Sequence, residues 1–184
     1  MEMFDVINEN GTPTGLIKER GVVHREGALH GTSHIWIARE NDQSGYDILL
    51  QKRSAIKDSH PGCYDISSAG HIGAGDTPLN SGLRELQEEL GIIAKPEHLK
   101  EFGVQFKQYE GQFYGKPFRD YQRSILYLYT EPLDESRLTL QESEIESVIW
   151  MDYAEALQAI RENTINHCIY EEEFLKLGNA LEIL

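Results

Sequence analysis

Three glutamates crowd one short segment of the chain: Glu85, Glu88 and Glu89. On a helix, residues three and four positions apart are neighbours, and each like-charge pair costs about 0.2–0.5 kcal/mol. These glutamates also fall near the C-terminal end of the predicted helix, where the helix dipole disfavours anions. A hard cation such as Mg²⁺, which takes oxygen ligands, would relieve both effects. The spacing therefore favours a metal site, with a solvated acidic helix face as the alternative.

The helix that carries these glutamates has readable ends. Thr77 is a suitable N-cap, and Pro78 follows at the first helical position, where its missing N–H costs nothing. Gly91 is the expected left-handed residue at the C-terminal end. We expect Arg84 to pair with Glu88, four residues on. The predicted core face is a leucine stripe within an arc of roughly 60°, formed by Leu79, Leu83, Leu86 and Leu90.

The segment from Gly70 to Ile92 also resembles the Nudix box, Gly-x5-Glu-x7-Arg-Glu-U-x-Glu-Glu-x-Gly-U, in which U is a large aliphatic residue. Asp76 replaces the first glutamate of that motif, which is more structural than catalytic in the family, so we expect activity to survive the change. All other fixed positions match, namely Gly70, Arg84, Glu85, Leu86, Glu88, Glu89, Gly91 and Ile92.

This resemblance implies a hydrolase that cleaves a diphosphate linked to another group, X, by attack of water on phosphorus. It also implies an α/β/α sandwich with a central mixed β-sheet. The carbonyl of Ala69 is implied as a further metal ligand, and Arg84 as the residue that orients a box glutamate. The metal would be Mg²⁺ or Mn²⁺, which bridges carboxylates to phosphate oxygens and activates water. Its implied ligands, one of which could serve as base, are Glu85, Glu88 and Glu89.

A wider stretch, from about Asp5 to Asp152, is similar to the Nudix subgroup related to isopentenyl diphosphate isomerase; it includes HREGALHGTSHIWI and SSAGHIGAGDT. Ala69 stands where that isomerase needs cysteine, and Gln122 aligns with its catalytic glutamate. Neither side chain can transfer protons to and from carbon. Hydrolysis is therefore favoured over an isomerase-like activity, and a non-catalytic Nudix-fold ligand sensor is a third alternative.

Four residues match, approximately, metal ligands of the isomerase: His24, His30, His71 and Asp120. Histidine commonly binds transition metals, so the resemblance implies a second metal site. The alternative is that these histidines pack and hydrogen-bond beneath the active site. The sequence favours that structural role, because Gln122 breaks the ligand set and a metal site needs its full count.

Other polar residues could contact substrate. Lys52 and Arg53 follow the apolar run Ile48–Leu50, and basic residues at a strand end can bind phosphate oxygens. Glu142 and Glu144 alternate with Glu146 in QESEIESVIW, and period-two spacing would put them on one side of an extended segment. Many Nudix hydrolases use a late glutamate outside the box as base, so either Glu142 or Glu144 is a candidate.

Composition limits the classes of function. The chain has 184 residues, 40% of them hydrophobic, which fits one domain spanning 1–184 with its own core. The net charge of −14 opposes binding to nucleic-acid polymers or anionic lipid and favours a small phosphorylated substrate reached through a metal. Nothing resembles a signal peptide or a membrane span, and Cys63 and Cys168 lack metal or disulfide spacing, so we expect a cytoplasmic monomer or homodimer.

The pattern of apolar and turn residues predicts a mixed α/β domain. It consists of an N-terminal hairpin at about 4–19, strands at about 34–38, 48–52 and 64–67, the box at 70–92, strands at 101–108, 122–130 and 147–151, and C-terminal helices at about 153–177. Specificity for group X is expected in loops such as Gly111–Asp120.

Overall fold

The computed structural model describes residues 2–57, 59–113 and 115–182, so residues 1, 58, 114, 183 and 184 of the predicted domain lie outside the described residues. The N-terminal part forms an antiparallel hairpin of β1 (Met3–Ile7) and β2 (Pro13–Glu19), followed by the short helix α1 (Arg20–Glu26). That helix is absent from the sequence-based expectation, because Gly21, Val22 and Val23 are weak helix formers and the N-cap Glu19 makes no side-chain cap.

A mixed β-sheet forms the centre of the molecule. Its strands are β3 (His30–Glu40), β4 (Tyr46–Arg53), β5 (Tyr64–Asp65), β6 (Ser68–His71), β7 (Lys100–Phe113), β8 (Lys116–Tyr129) and β9 (Ile145–Asp152). The order is β5-β4-β3-β8-β7, with β6 paired to β3 and β9 paired to β4. The pairing of β3 with β8 is parallel and the other strand pairs are antiparallel.

Helices cover both faces of this sheet. The box helix α2 (Pro78–Leu90) packs on one face through Leu86 and Leu90, while α3 (Tyr153–Glu162) and α4 (Glu171–Ala180) pack on the other through residues such as Leu157 and Phe174. The predicted α/β/α sandwich with a central mixed sheet is therefore confirmed. None of the helices in the described part of the chain is both long and apolar enough to cross a membrane.

Two local expectations are wrong. The described residues of Gly111–Asp120 do not form a loop, because β7 continues to Phe113 and β8 begins at Lys116, so they belong to the end of a long hairpin. Residues 142–144 form a turn before β9 begins at Ile145, so Glu142, Glu144 and Glu146 do not share one side of an extended segment. In both cases the strand boundary depends on pairing with another strand, the adjacent β8 for β7 and the distant β4 for β9, which the local sequence does not encode.

Candidate active site

The box helix has the predicted ends. The Thr77 side chain accepts a hydrogen bond from the backbone N of Asn80 at 3.2 Å, and Gly91 adopts the left-handed conformation with φ 72°. Because Leu86 and Leu90 are buried in the core beneath the helix, the helix is fixed in rotation about its axis. Glu85 and Glu89 then lie one turn apart beside β6, whereas Glu88 is exposed.

Glu89 is the most deeply placed of the three glutamates, with 4% of its surface exposed. One carboxylate oxygen accepts hydrogen bonds from Ser68 Oγ at 2.6 Å and from the backbone N of Ala69 at 3.2 Å. Burial raises the pKa of Glu89 to about 8; the Ser68 hydrogen bond opposes this change, and the charge of nearby Glu85 adds to it. A divalent cation would favour the ionised carboxylate here, because opposite charge lowers the pKa of an acid.

Glu85 lies directly over Gly70, the first residue of the box. A Cβ added at position 70 would come within 2.0 Å of Glu85 Cδ, so only glycine leaves room for this carboxylate. Burial raises the pKa of Glu85, an effect that Arg84 opposes and Glu88 reinforces. Two carboxylates with raised pKa values therefore lie beside one strand. Raised pKa values of this kind are common at functional sites, and a bound cation would stabilise the ionised form of both carboxylates.

Arg84 links the segment before the box helix to Glu85 on the helix by hydrogen bonds. Its guanidinium donates to Asp76 Oδ2 at 2.8 Å, to the backbone O of His71 at 3.2 Å and to Glu85 Oε1 at 3.4 Å. The predicted pairing of Arg84 with Glu88 is not what the structure shows, since the side chain turns back toward Asp76 at the start of the helix. The contact with Glu85 is the one that a glutamate-orienting role requires.

Ala69 contacts Glu89 through its backbone N–H. It pairs with His34 across β3 and β6, and its N–H is bonded to Glu89 instead of to β3. In an antiparallel strand the N–H and C=O of one residue point to the same edge, so the Ala69 carbonyl is directed toward the edge where Glu89 lies. That direction agrees with its predicted role as a metal ligand.

A cavity of about 550 Å³ opens beside the three glutamates. Its volume lies within the range of roughly 300–1,000 Å³ that is usual for small-molecule sites. Cationic side chains reach it from several elements, which suits an anionic ligand in a chain of strongly negative net charge. These side chains are Arg20, Arg53, Lys57, Arg84 and Lys107.

Only one of the two late glutamates borders this cavity. Glu144 lines it and forms an ion pair with Lys57, and its charge contributes to the raised pKa values of Glu85 and Glu89. Glu142 is exposed in the turn and is not part of the lining. The geometry therefore keeps Glu144 as a candidate base and leaves Glu142 without a place in the site.

The two predicted phosphate-binding cations also differ. Arg53 lines the cavity, where its guanidinium donates to Asp65 Oδ2 at 3.1 Å and to the backbone O of Ser59 at 3.0 Å. Lys52 does not line the cavity; its ammonium pairs with Glu146 at 2.7 Å on the outer side. Neighbouring residues of a strand point to opposite faces, which explains why only one of them reaches the site.

Three histidines and Asp120 converge in one group, of which His24, His71 and Asp120 line the cavity. His24 comes from α1, His30 begins β3, His71 ends β6 and Asp120 lies on β8, and one ligand atom from each lies within 4.8 Å of the others. His30 donates from Nδ1 to the backbone O of Ala28 at 2.9 Å, which leaves its Nε2 as the unprotonated nitrogen. The resulting group has the donor set of a transition-metal site.

The rings of this group pack against one another, but four of its polar atoms make no hydrogen bond with any residue that the structure describes. Within the described residues, the Nε2 atoms of His24, His30 and His71 and Oδ1 of Asp120 are buried without any hydrogen-bond partner. The distances from Asp120 Oδ1 to His24 and His30 Nε2 are 3.5 and 3.7 Å. Unpartnered buried polar atoms cost about 1–3 kcal/mol each, and a bound ion would satisfy all four.

Electrostatics favour the ligand forms of these side chains. Burial lowers the pKa of His30 and lowers that of His71 further, which keeps both imidazoles neutral. Burial opposes ionisation of Asp120, but its contacts with His24 and with Lys107 outweigh this and lower its pKa. Neutral histidine and ionised aspartate are the forms that bind metals.

Sequence reasoning missed several residues of the cavity, among them Lys107 and Glu173. Lys107 lies on β7, 3.5 Å from Asp120 Oδ2, and Glu173 accepts a hydrogen bond from His34 at 3.0 Å. Glu173 belongs to a run of three glutamates at the start of α4, and nothing local distinguishes it from its neighbours. Lys107 could not be recognised from the sequence either, because its proximity to Asp120 depends on the pairing of β7 with β8.

Comparison with known proteins identifies the family. The NUDIX domain model matches residues 29–172, which include most of the cavity-lining residues described above. The chain belongs to the Nudix family. Nudix hydrolase 3 of Arabidopsis thaliana is 42% identical over 84% of this chain, although this chain spans only 20% of that protein's length. An uncharacterised Nudix hydrolase of Clostridium acetobutylicum is 32% identical over 95% of this chain and 80% of its own length.

Solved structures show that other proteins share this fold. DR0079 from Deinococcus radiodurans matches with a TM-score of 0.68 at 15% identity, covering 95% of this chain and 98% of its own. The NUDIX domain of Shewanella oneidensis NrtR, solved with ADP ribose, matches with a TM-score of 0.60 at 14% identity over 82% and 87% of the two chains. The relatives confirm the predicted enzyme class, a Nudix hydrolase acting on phosphoanhydride bonds.

Proposed function

We propose that this Nudix hydrolase cleaves the diphosphate linkage of a small nucleoside-diphosphate-like molecule in a reaction that depends on Mg²⁺ or Mn²⁺. The main support is the pair Glu85 and Glu89, two carboxylates with raised pKa values at the edge of a cavity that also contains cationic side chains. Carboxylates alone would repel a diphosphate, so this arrangement suits a substrate that arrives with a divalent ion.

The residues present fit such an ion. Glu85, Glu88, Glu89 and the carbonyl of Ala69 supply hard oxygen donors, and Gly70 leaves the space that the Glu85 carboxylate occupies. When bound, a divalent metal neutralises phosphate charge and lowers the pKa of a coordinated water. Arg84 holds Glu85 in place and Ser68 holds Glu89, so both carboxylates are oriented before substrate arrives.

Glu144 is our candidate for the base. It borders the cavity, and its partner Lys57 keeps it near the box glutamates. Removal of a proton from water would let the oxygen form a bond to phosphorus while the bridging P–O bond breaks. The products are two phosphate compounds, one of which retains group X.

The substrate side of the proposal rests on charge and volume. Arg53 and Lys107 face a cavity of about 550 Å³, enough for a diphosphate with an attached sugar or base. ADP ribose in the structurally similar NUDIX domain of NrtR is a compound of this class. The net charge of −14 supports a small substrate over a nucleic-acid polymer.

A panel of diphosphates tests the proposal. ADP-ribose, NADH, ADP-glucose, nucleoside diphosphates and isopentenyl diphosphate would each be incubated with Mg²⁺, with Mn²⁺ and with EDTA, and products followed by phosphorus NMR. We expect hydrolysis of at least one compound and none in EDTA. Isomerisation of isopentenyl diphosphate to dimethylallyl diphosphate would instead favour the isomerase-like alternative, which Ala69 and Gln122 in the cavity argue against. Binding of a panel compound without turnover would favour the ligand sensor.

We also propose that His24, His30, His71 and Asp120 bind one transition-metal ion. Four buried ligand atoms that lack hydrogen-bond partners support this role over the packing role that the sequence favoured. Elemental analysis of protein purified without chelator should find about one Zn, Mn or Fe per chain. Protein that contains no such metal and takes up none on dialysis would return these residues to a structural role.

Two further expectations stay predictions. Cys63 and Cys168 are free thiols, which supports the cytoplasmic location proposed from the sequence. Light scattering would distinguish the predicted monomer from the predicted homodimer.

A further inference from the structure

A histidine and a buried carboxylate form a pair that the proposed reaction does not yet use. His34 lies on β3 with 13% of its side chain exposed, and Glu173 lies in the first turn of α4 with 2% exposed. His34 Nδ1 is 3.0 and 3.1 Å from the two oxygens of Glu173. Both residues line the cavity that contains the box glutamates.

The hydrogen-bond pattern fixes which nitrogen of His34 carries the proton at this contact. Glu173 also accepts from Trp36 Nε1 at 2.9 Å, so two N–H groups converge on one carboxylate. A carboxylate is an acceptor, so Nδ1 of His34 is the donor, and Nε2 on the other side of the ring is left for another partner. Glu173 also lies at a helix N-terminus, where the dipole favours negative charge.

The Nε2 atom of His34 makes only a weak contact within the described part of the protein. Its contact in the described part of the chain is Thr32 Oγ1 at 3.5 Å, the outer limit of a hydrogen bond, and that hydroxyl already bonds Ser124 Oγ at 2.7 Å. A histidine that lines a cavity, held by a buried carboxylate and with a weakly partnered second nitrogen, is arranged as a binding group and not only as a support for α4.

The position of His34 relative to the box indicates which part of a bound ligand its side chain would contact. It is the direct partner of Ala69 across β3 and β6, and the side chains of directly opposed residues lie on the same face about 5 Å apart. Ala69 offers only a methyl group there, so nothing of its side chain covers the imidazole. A diphosphate that reaches the glutamates beyond Ala69 would therefore pass close to His34.

We propose that His34 is a substrate-binding residue whose Nε2 hydrogen-bonds an oxygen of the diphosphate substrate, and that Glu173 positions it. The inference rests on the proposed diphosphate hydrolysis. The oxygen belongs either to a phosphate group, which would accept a hydrogen bond from Nε2–H of a ring that carries a proton on both nitrogens, or to a hydroxyl of the attached group X, which would donate to an unprotonated Nε2. Trp36 shares Glu173 but is fully buried, so it serves the packing of α4 alone.

Side-chain geometry offers a matched set of variants. His34→Asn retains an N–H near the position of Nδ1 and removes the nitrogen that faces the cavity. His34→Gln carries an amide to about the position of Nε2. Trp36→Phe removes the other hydrogen bond to Glu173 without reaching the cavity, and so reports a purely structural effect.

Binding by calorimetry, in the presence of Mg²⁺, would be measured with two non-hydrolysable probes, methylenediphosphonate and α,β-methylene-ADP. We expect His34→Asn to weaken binding about 10- to 100-fold, as loss of a hydrogen bond to a charged group does. His34→Gln should restore part of this loss, and Trp36→Phe should bind like wild type. Weakening with both probes identifies a phosphate oxygen, and weakening with α,β-methylene-ADP alone identifies an oxygen of the attached nucleoside.

Two controls keep the outcomes distinct. Nitrogen-15 NMR of the wild-type protein should show the His34 Nε2 resonance shift on addition of a probe, a readout that does not depend on a variant folding. Normal binding by His34→Asn together with an unmoved Nε2 resonance would overturn the role of His34 while leaving the proposed hydrolysis intact. Failure of the wild-type protein to bind or hydrolyse any diphosphate would instead remove the proposed function on which the inference rests.

Discussion

The carboxyl group of Glu85 occupies the space that a side chain at position 70 would fill: a Cβ there would approach Glu85 Cδ to 2.0 Å. The box glycine is therefore needed for volume, since its backbone is not in the left-handed region. A methyl group at this position would displace the carboxylate from the edge of β6.

Gly70→Ala should consequently lower kcat at least 10-fold while the protein remains folded, because a displacement of about 1 Å in a catalytic group can cost two orders of magnitude. The control is Gly21→Ala, since Gly21 does not line the cavity and a Cβ added there would meet nothing within 4 Å. Steady-state kinetics on the panel substrate and thermal melts would be compared. Equal activity of the two variants would contradict the role assigned to this space.

The raised pKa of Glu89 should make the free energy of unfolding depend on pH. Its pKa in the folded protein is about 8, against an ordinary value of 4.5, so the folded state resists ionisation. Relative to Glu89→Gln, the metal-free wild-type protein should be fully stable below about pH 4.5 and lose stability as pH rises toward 8, at up to about 1.4 kcal/mol per pH unit. Above pH 8 the difference should level off.

Urea unfolding in EDTA between pH 5 and 9 measures this difference directly. Mg²⁺ should reduce it, because the cation favours the ionised carboxylate that burial disfavours. Parallel stability curves for wild type and Glu89→Gln would show that the buried carboxyl does not titrate in this range.

Glu144 and Glu142 form a natural comparison, because one lines the cavity and the other is exposed in the same turn. If Glu144 acts as base, Glu144→Gln should reduce kcat about 10²- to 10⁴-fold with little change in KM. Glu142→Gln should behave like wild type. A Glu144→Gln variant with full activity would direct the search for the base back to the box.

Arg53 and Lys52 are neighbours with different surroundings. Arg53→Ala should raise KM for the diphosphate and destabilise the protein by about 1–3 kcal/mol, since it leaves Asp65 without its partner. Lys52→Ala should change neither, because its exposed ion pair with Glu146 contributes about 1 kcal/mol or less. An unchanged KM in Arg53→Ala would limit Arg53 to holding Ser59 and Asp65.

Chelation should act on the histidine site through stability. Prolonged dialysis against a strong chelator should lower Tm, because an ion present at 1,000 times its dissociation constant stabilises the folded state by about 4 kcal/mol. His71→Gln should show the lower Tm without chelator and no further change with it. His98→Gln, a substitution far from the cluster, should respond like wild type.

The sequence predicted what depends on local signals. Thr77, Pro78 and Gly91 define the ends of α2 through short-range geometry, so the helix and its glutamates were expected where the structure has them. Helix α1 was not expected, because its order depends on burying Val23 and His24 against other elements. The contact of His34 with Glu173 joins residues 139 positions apart, and no local pattern indicates which glutamate of that run turns inward.

Alternation along β3 has a consequence for how this enzyme could diverge. His30, Thr32, His34 and Trp36 all face the side of α4, while Ser33, Ile35 and Ile37 face the box helix. One strand thus contributes to two chemically separate walls, and of its even positions Thr32 and His34 line the cavity. New substrates could therefore be acquired through changes at these two positions, with the phosphate-cleaving residues of the box inherited intact.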